Sequence, residues 1–201
     1  MSASPTKALN VCLDFSPVHG GVIQAIRDFQ AALVAPVLSF DAGQDPRVED
    51  PAVTYVDNPD KVAGKYHLKI TRKADVKATT IARDYNPGLL ITHSLFRGQC
   101  GWTRRFSQRW GVPYWAVPHG SLDPWVFTYG ALFKKVWLSL SGQPYLRNAA
   151  AVIFATRRER DKAAERYKGA NTRVIHWPVK PFDLAQREAA RANLRASLGL
   201  P

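Results

Sequence analysis

Short apolar runs alternate along the chain with segments whose apolar residues recur every three or four positions. In residues 22–34, Val22, Ile26, Phe29 and Leu33 lie at i, i+4, i+7 and i+11, on one face of a helix. Comparable patterns predict further helices at residues 72–84, 95–110, 129–147 and 157–167. The apolar runs between these segments predict seven short strands, at residues 8–14, 36–40, 52–56, 88–92, 113–117, 151–155 and 172–176.

The alternation of strands and helices is typical of consecutive βαβ units, whose strands are parallel and whose crossovers are right-handed. We therefore predict an α/β fold with a doubly wound, mostly parallel, Rossmann-like sheet covered by helices on both faces. Two prolines within residues 177–182 and a helical pattern that stops at Gly199 follow the last strand. This change predicts a domain over residues 1–180 and a linker helix over residues 181–201, leading into a second domain beyond this sequence.

Composition is that of a globular chain, with 46% hydrophobic and 22% charged residues. No apolar run approaches the roughly 20 residues that are needed to span a bilayer. The two cysteines, Cys12 and Cys100, have neither metal-ligand spacing nor the pattern of a disulfide framework. Reduced cysteines are typical of cytoplasmic proteins, and we expect that location here.

The net charge of +12 is high, and the charges are unevenly placed. Between Asn86 and Arg158 the only acidic residue is Asp123, against nine basic residues, and five of the six tryptophans lie in the same region. Such a basic, aromatic-rich region indicates an anionic partner, such as a phosphate group, a lipid headgroup or a nucleic acid. A solvated basic face over a well-packed core is the alternative that composition leaves open.

Candidate chemistry lies in the loops that follow the predicted strands. Three of the five histidines, His19, His93 and His119, are in these loops, which we expect to converge because parallel strands end at one edge of the sheet. Gly20 and Gly21 precede a helix, and the free amide groups of a helix N-terminus bind anions. The alternatives are ordinary hydrogen-bonded loop histidines and a tight glycine turn. The sequence has no nucleophile elbow, H-E-x-x-H, Walker A or G-x-G-x-x-G motif, so it lacks support for hydrolase, P-loop and dinucleotide-binding classes.

Four segments resemble the N-terminal domain of GT-B glycosyltransferases of family 4, the retaining sugar-nucleotide transferases. The most specific segment is VPYWAVPHGSLDPWVFTYGALFKKVWLSL at residues 112–140, close to the PHG-x-L-x-P-W block and Lys-Lys helix of that family. The other segments are SPVHGGVIQAIRDFQAAL at residues 16–33, ITHSLF at 91–96, and AAAVIFATRRE at 149–159 followed by VIHWPVK at 174–180. The segments are spread along nearly the whole chain, and the similarity extends between them.

This resemblance implies roles for individual residues. His119 is implied as the catalytic residue, at the floor of the cleft near the reacting carbon of the donor sugar. Gly20, Gly21 and Gly120 are implied to bind the donor, the first two against its diphosphate. The acceptor pocket is implied for His19, His93, Ser94, Arg97 and Trp125. Because a nucleotide-diphosphate sugar is the substrate, no cofactor and no metal are implied, and replacement of His119 is expected to lower turnover far more than stability.

The resemblance also implies a second half. The donor-binding motif of the family, two glutamates separated by seven residues, lies in its C-terminal domain, and no glutamate pair here has that spacing. The chain is therefore expected to be the acceptor half of a two-domain enzyme, folded but inactive alone. The implied reaction moves a sugar from a nucleotide-sugar donor to a glycan or lipid-linked acceptor, in polysaccharide or glycolipid biosynthesis. The sequence departs from the family at Arg157, in place of serine, and at His176-Trp177, in place of Pro-Asn.

A basic nucleic-acid-binding α/β module is the alternative function, because it fits the charge and the aromatic content, although no recognised binding signature is present. An anionic membrane surface is a further partner that is compatible with a transferase. Residues 97–110 combine four arginines with Trp102, Phe106 and Trp110, a composition typical of peripheral attachment. Trp102, Phe106 and Arg109 share one helix face, so the alternative is that this stripe belongs to the core.

Overall fold

The computed structural model describes residues 7–199, except residues 42, 44, 45, 60–68 and 178–183. Its strands are β1 (Ala8–Cys12), β2 (Val37–Asp41), β3 (Val53–Asp57), β4 (Leu89–His93), β5 (Tyr114–Val117), β6 (Ala151–Phe154) and β7 (Thr172–Val174). They form a seven-stranded sheet in the order β3-β2-β1-β4-β5-β6-β7, and every neighbouring pair is parallel. The predicted doubly wound, Rossmann-like fold is confirmed.

The helices are α1 (Gly20–Leu33), α2 (Arg72–Tyr85), α3 (Gly98–Trp110), α4 (Ala131–Trp137), α5 (Gln143–Asn148), α6 (Arg157–Ala163) and α7 (Leu184–Ser197). Local sequence features determine where these helices begin and end. Thr71 accepts a hydrogen bond from the Ala74 amide at the start of α2, and Asn86 ends that helix in a left-handed conformation. Gly111 ends α3 in the same way.

The two faces of the sheet have separate cores. On one face, Ala74, Ala78 and Ala82 of α2 bring that helix close to the strands, beside Trp102 and Phe106 of α3. On the other face, α1 packs through buried apolar side chains: Ile23, Ile26 and Phe29. Strands β1 and β2 are buried at every position, which is what coverage of both faces requires.

The order of the strands places a topological switch at β1 and β4. The chain leaves β1 through α1 toward β2 and β3, and then crosses back through α2 to β4 on the other side of β1. Connections therefore run in opposite directions from these two neighbouring strands, and their carboxyl ends open a crevice. In open α/β sheets, ligands bind in this crevice.

The predicted helix at residues 129–147 is present over residues 131–148, with one irregular turn inside it. The chain forms a 3-10 turn at Pro124–Thr128, then α4, then a π-helical turn at Leu138–Gly142 that leads into α5. Pro144 has no N–H to donate to the carbonyl four residues earlier, and the preceding turn widens so that the Gln143 amide bonds to the Leu138 carbonyl. The tail is helical as expected, as α7, and its role as a linker stays a prediction.

Candidate functional site

The loops at the carboxyl edge of the sheet contain the three histidines that the sequence singles out. His19 ends a 3-10 turn (Pro17–His19) after β1, His93 is the last residue of β4, and His119 lies two residues beyond β5. For His19 only the backbone is described. The structure brings the other two side chains into direct contact.

His93 is completely buried at the centre of this edge. Its Nδ1 atom lies 2.9 Å from Nε2 of His119, and its own Nε2 atom lies 3.0 Å from Oδ1 of Asn10, in the middle of β1. The ring centroids of the two histidines are 5.2 Å apart with planes at 21°, so the rings meet edge to edge in nearly one plane. Both ring nitrogens of His93 therefore have partners, as burial requires.

Burial keeps both imidazoles neutral at neutral pH. Loss of hydration lowers the pKa of His93 well below its usual range, and the neighbouring His119 lowers it further. Burial also lowers the pKa of His119 to about 4. Aromatic rings of Phe29 and Trp177 cover the pair, with centroids 5.7 Å from His93 and 5.5 Å from His119 respectively.

The surroundings of His119 bear on the expected effect of its replacement by alanine. Its φ is +49°, in the left-handed region, and its side chain bonds a buried partner, so replacement by alanine costs stability as well as any activity. Ser94 (φ +67°) and Phe96 (φ +57°) are in the same region in the loop after β4. Such strained residues persist where the surrounding structure holds them, commonly at functional sites.

The glycine of the same loop is anchored by a carboxylate. Oε1 of Glu159, in the first turn of α6, accepts a hydrogen bond of 2.8 Å from the Gly120 amide, and Oε2 accepts one of 2.8 Å from the Ala155 amide. Glu159 thus ties the loop after β5 to the loop after β6. Because the Gly120 amide is occupied, this glycine can serve a ligand by close approach of the backbone but not by its N–H.

The glycine turn after β1 is open on its outer side. Gly20 has φ +46° and ψ −113°, a conformation that only glycine adopts readily, and its amide bonds the Pro17 carbonyl. Gly21 follows in the first turn of α1. A Cβ atom added to either glycine would meet no described atom within 4 Å. Space for a ligand therefore exists above this helix N-terminus.

The remaining predicted acceptor residues are spread over this edge. The Ser94 amide donates a 2.8 Å bond to the Val117 carbonyl and joins the ends of β4 and β5. Arg97 precedes α3 and is half-buried. Trp125 is 67% exposed, and its ring contacts Tyr129 rather than the histidine pair. His93, which was also predicted to line the acceptor pocket, is completely buried beneath His119. It can therefore act on a ligand only through His119.

Asn10, Glu159 and Trp177 were missed from the sequence. Asn10 is a polar residue inside the apolar run ALNVC, and a buried amide of this kind requires partners, which was an available signal. Glu159 stands three residues after Thr156 in a capping-box pattern. Its carboxylate instead accepts hydrogen bonds from the Gly120 and Ala155 amides. No local pattern announces the contact of Trp177 with His119.

The aromatic stripe at residues 97–110 belongs to the core. Trp102 and Phe106 are 1% and 2% exposed, so this stripe does not offer its aromatic rings to a membrane. Arg105 pairs with Asp75 at 2.8 Å on the outside of α3. Within the described ranges, no helix is long and apolar enough to cross a bilayer, and no group of three or more acidic, histidine or cysteine side chains is placed to hold a metal ion.

Comparison with known families identifies the domain. Residues 20–180 match the family model described as glycosyl transferase 4-like domain. The chain belongs to the glycosyl transferase 4-like domain family. The match includes both the glycine turn and the loop that carries His119. No curated protein matches the chain.

Solved structures share the fold of this glycosyl transferase 4-like domain. Sucrose-phosphate synthase from Thermosynechococcus elongatus superposes with a TM-score of 0.64 at 18% identity, over 97% of this chain and 53% of that one. HepE from Anabaena, in complex with UDP-glucose, gives a TM-score of 0.63 at 17% identity, over 96% and 50%. UDP-N-acetylglucosamine 2-epimerase from Rickettsia bellii gives 0.52 at 12% identity, over 98% and 52%.

The chain thus spans about half the length of these proteins. A synthase and an epimerase share its fold, so the fold alone does not indicate the activity, whereas the family model is that of a glycosyl transferase 4-like domain. A nucleic-acid-binding module is not supported. Of the six tryptophans, only Trp125 is exposed, beside Tyr129, so the described residues offer bases one exposed aromatic pair and not a series of stacking rings.

Glu159→Gln tests the anchor of the loop after β5. Glutamine keeps the size but puts an NH2 group opposite an amide donor, so either Gly120 or Ala155 loses its acceptor. We expect the free energy of unfolding to fall by about 1–3 kcal/mol, with faster hydrogen exchange at one of the two amides. Glu165→Gln is the control, because this carboxylate is exposed and its contact with Arg166, at 3.4 Å, is long for an ion pair. Equal stability of the two variants would contradict the anchoring role.

The buried histidines predict a pH dependence of stability. Their folded pKa values lie below the ordinary value of about 6.5, so the unfolded chain takes up protons that the folded chain does not. The stability they contribute is complete above about pH 6.5 and is lost as pH falls toward 4, by at most about 3 kcal/mol for His119. His119→Asn tolerates the positive φ and removes this share. Urea unfolding between about pH 7 and 4.5 should therefore show a smaller loss in the variant, and an equal loss would contradict burial as the cause.

Proposed function

We propose that this chain is the acceptor-side domain of a retaining glycosyltransferase. The reaction moves a sugar from a nucleotide-sugar donor to a glycan or lipid-linked acceptor, in polysaccharide or glycolipid biosynthesis. The observation that carries the proposal is the loop at residues 118–120 of a glycosyl transferase 4-like domain, held at the switch-point edge with a neutral His119 above a buried polar chain. His119 is the residue that touches the reacting sugar.

The chemistry assigns different tasks to the two sides of the crevice. The bond between the sugar carbon and the diphosphate breaks, a bond to an acceptor oxygen forms on the same face, and the acceptor hydroxyl gives its proton to the departing diphosphate. Positive charge develops on the sugar ring and negative charge on the departing diphosphate. The α1 N-terminus, with its open space above Gly20 and Gly21, is suited to the diphosphate, and no metal or cofactor is required. His19, Ser94, Arg97 and Trp125 are assigned to the acceptor side.

A second domain completes the proposed enzyme. The half-length matches to GT-B proteins support a partner domain that closes over the nucleotide sugar and excludes water. Without that domain we expect the chain to have no sugar-transfer activity. The proposed location is the cytoplasm, with the enzyme peripheral on the inner face of the membrane.

A membrane-facing surface is proposed on α4, not on α3. Leu132, Val136 and Leu140 are 78%, 48% and 73% exposed at a spacing of four, and Trp125 and Tyr129 lie exposed before them. Lys134 Nζ donates a 2.7 Å bond to the Tyr129 carbonyl and holds the two segments together. The only charged residues in positions 124–146 are Lys134 and Lys135. A second copy of this surface would be repelled by like charge, whereas an anionic bilayer attracts it.

The transfer reaction is tested with paired glycine variants of the intact two-domain protein. UDP-glucose is the first probe of a nucleotide-sugar panel, and the assay follows released nucleoside diphosphate and the anomeric configuration of the product. Gly21→Ala should leave folding intact, since the added methyl group meets no described atom. In the enzyme that methyl group lies against the diphosphate, and kcat/KM should fall on the order of tenfold, as for a mildly overpacked contact.

Gly101→Ala in α3 is the matched control, because its added Cβ meets only Nη1 of Arg105, at 3.4 Å. Both variants replace a helical glycine, so both should gain up to about 1 kcal/mol of stability. Only Gly21→Ala should lose activity. If the two variants turn over equally, the diphosphate does not lie against this turn.

The membrane surface is tested by sedimentation with vesicles. The protein should bind vesicles that contain phosphatidylglycerol, bind poorly to pure phosphatidylcholine, and dissociate as salt is raised. Leu132→Ser should weaken binding on the order of tenfold, by loss of one partly inserted leucine. Leu194→Ser on α7 removes a leucine that is 60% exposed elsewhere and should have no effect. Equal binding by both variants would place the contact on another surface.

A further inference from the structure

The hydrogen-bond chain that ends at His119 has a fixed direction. It begins at the carbonyl of Ala35, which can only accept. Asn10 therefore places its Nδ2 donor on that carbonyl, at 3.0 Å, and turns its Oδ1 acceptor toward His93, at 3.0 Å. Since an amide oxygen cannot donate, the hydrogen of this second bond is on Nε2 of His93.

The same reasoning continues through both imidazoles. A neutral imidazole has one N–H, so Nδ1 of His93 is bare and accepts from His119 at 2.9 Å. The hydrogen of His119 is therefore on Nε2, and its Nδ1 atom has a bare lone pair. No donor among the described residues bonds to that atom, although His119 lies at the open edge of the sheet.

We propose that Asn10 and His93 are positioning residues, which fix His119 in the Nε2–H tautomer and present its Nδ1 atom as an acceptor to a hydroxyl group of the bound sugar. The inference rests on the proposed function, because it takes His119 to touch the sugar. A bare nitrogen accepts from a hydroxyl and repels a phosphate oxygen. This series of hydrogen bonds therefore selects the sugar over the diphosphate at this point of the crevice.

The hydrogen bonds from the Ala35 carbonyl through Asn10 and His93 to His119, here called the relay, cannot reverse their donor-to-acceptor direction in these surroundings. Phe29 and Trp177, which pack against the two histidines, offer an aromatic face and an indole donor but no acceptor side chain that could reverse it. Asn10 and His93 are both fully buried, so water does not supply alternative partners. The order of donors and acceptors is set by one backbone carbonyl.

The first test reads the tautomers directly in this chain without ligand. Two-bond 1H–15N correlation spectra of uniformly 15N-labelled protein at neutral pH separate a protonated ring nitrogen from a bare one. We expect protonated Nε2 and bare Nδ1 in both His93 and His119. A His119 with its hydrogen on Nδ1, or with two N–H groups, would overturn the proposal whatever the variants do.

The second test releases the relay. Asn10→Leu keeps the volume but removes the acceptor for Nε2 of His93, so His93 can move its hydrogen to Nδ1 and His119 can follow. We expect the His119 spectrum to become a mixture of tautomers. Thr92→Val is the matched control, since it removes a buried bond of 2.9 Å to Thr103 beside His93 in the chain, outside the relay. A pure Nε2–H His119 in Asn10→Leu would overturn the positioning role.

The third test asks whether the lone pair is used. In the two-domain protein, with UDP-glucose as the first donor probe, Asn10→Leu should lower kcat about tenfold, as loss of one hydrogen bond to the sugar would. Thr92→Val should retain its turnover when folded. A changed tautomer with unchanged turnover would overturn the role of Nδ1. Absence of any turnover in the unaltered protein would instead contradict the proposed function, while the spectra still decide the relay.

Discussion

The hydrogen bond between His93 and His119 is the contact around which this edge of the sheet is organised. His93 is fully buried, so both its nitrogens require partners, of which one is on strand β1 and the other is in the loop after β5. The parallel register, which pairs His93 with Val117 across β4 and β5, sets His119 at the right height. A slip of one residue would turn His93 to the opposite face and disconnect Asn10 from the loop.

Glu159 fixes the same loop through a second hydrogen bond, which its carboxylate accepts from the Gly120 amide. The loop after β5 is anchored at His119 by a buried imidazole and at Gly120 by a carboxylate, with one residue between the sheet and the first anchor. At the first of these anchors, the backbone of His119 has a strained, left-handed conformation. A surface prepared in this way does not have to reorganise as a ligand reacts on it, which is the usual source of electrostatic catalysis.

Sequence patterns predicted the strands and most helices because burial on both faces of a parallel sheet requires continuous apolar runs. They did not predict the π turn inside the helix at residues 129–147, where Pro144 shifts the helical hydrogen bonds. They brought His93 and His119 to one edge but could not supply their contact, which depends on register. Asn10 lies 83 residues before His93, and Trp177 lies 58 residues after His119, so no local spacing connects these partners.

The two neutral histidines also limit the positive charge that this domain can supply. Neither imidazole carries charge at neutral pH, because burial disfavours the protonated form of both. In the proposed transferase, stabilisation of a departing diphosphate would therefore fall to the dipole of α1, equivalent to about half a charge, and to cations outside the histidine pair. Half a charge is small against a diphosphate. In the proposed enzyme this leaves the sugar and the acceptor to this domain, and most of the neutralisation of the leaving group to a facing domain.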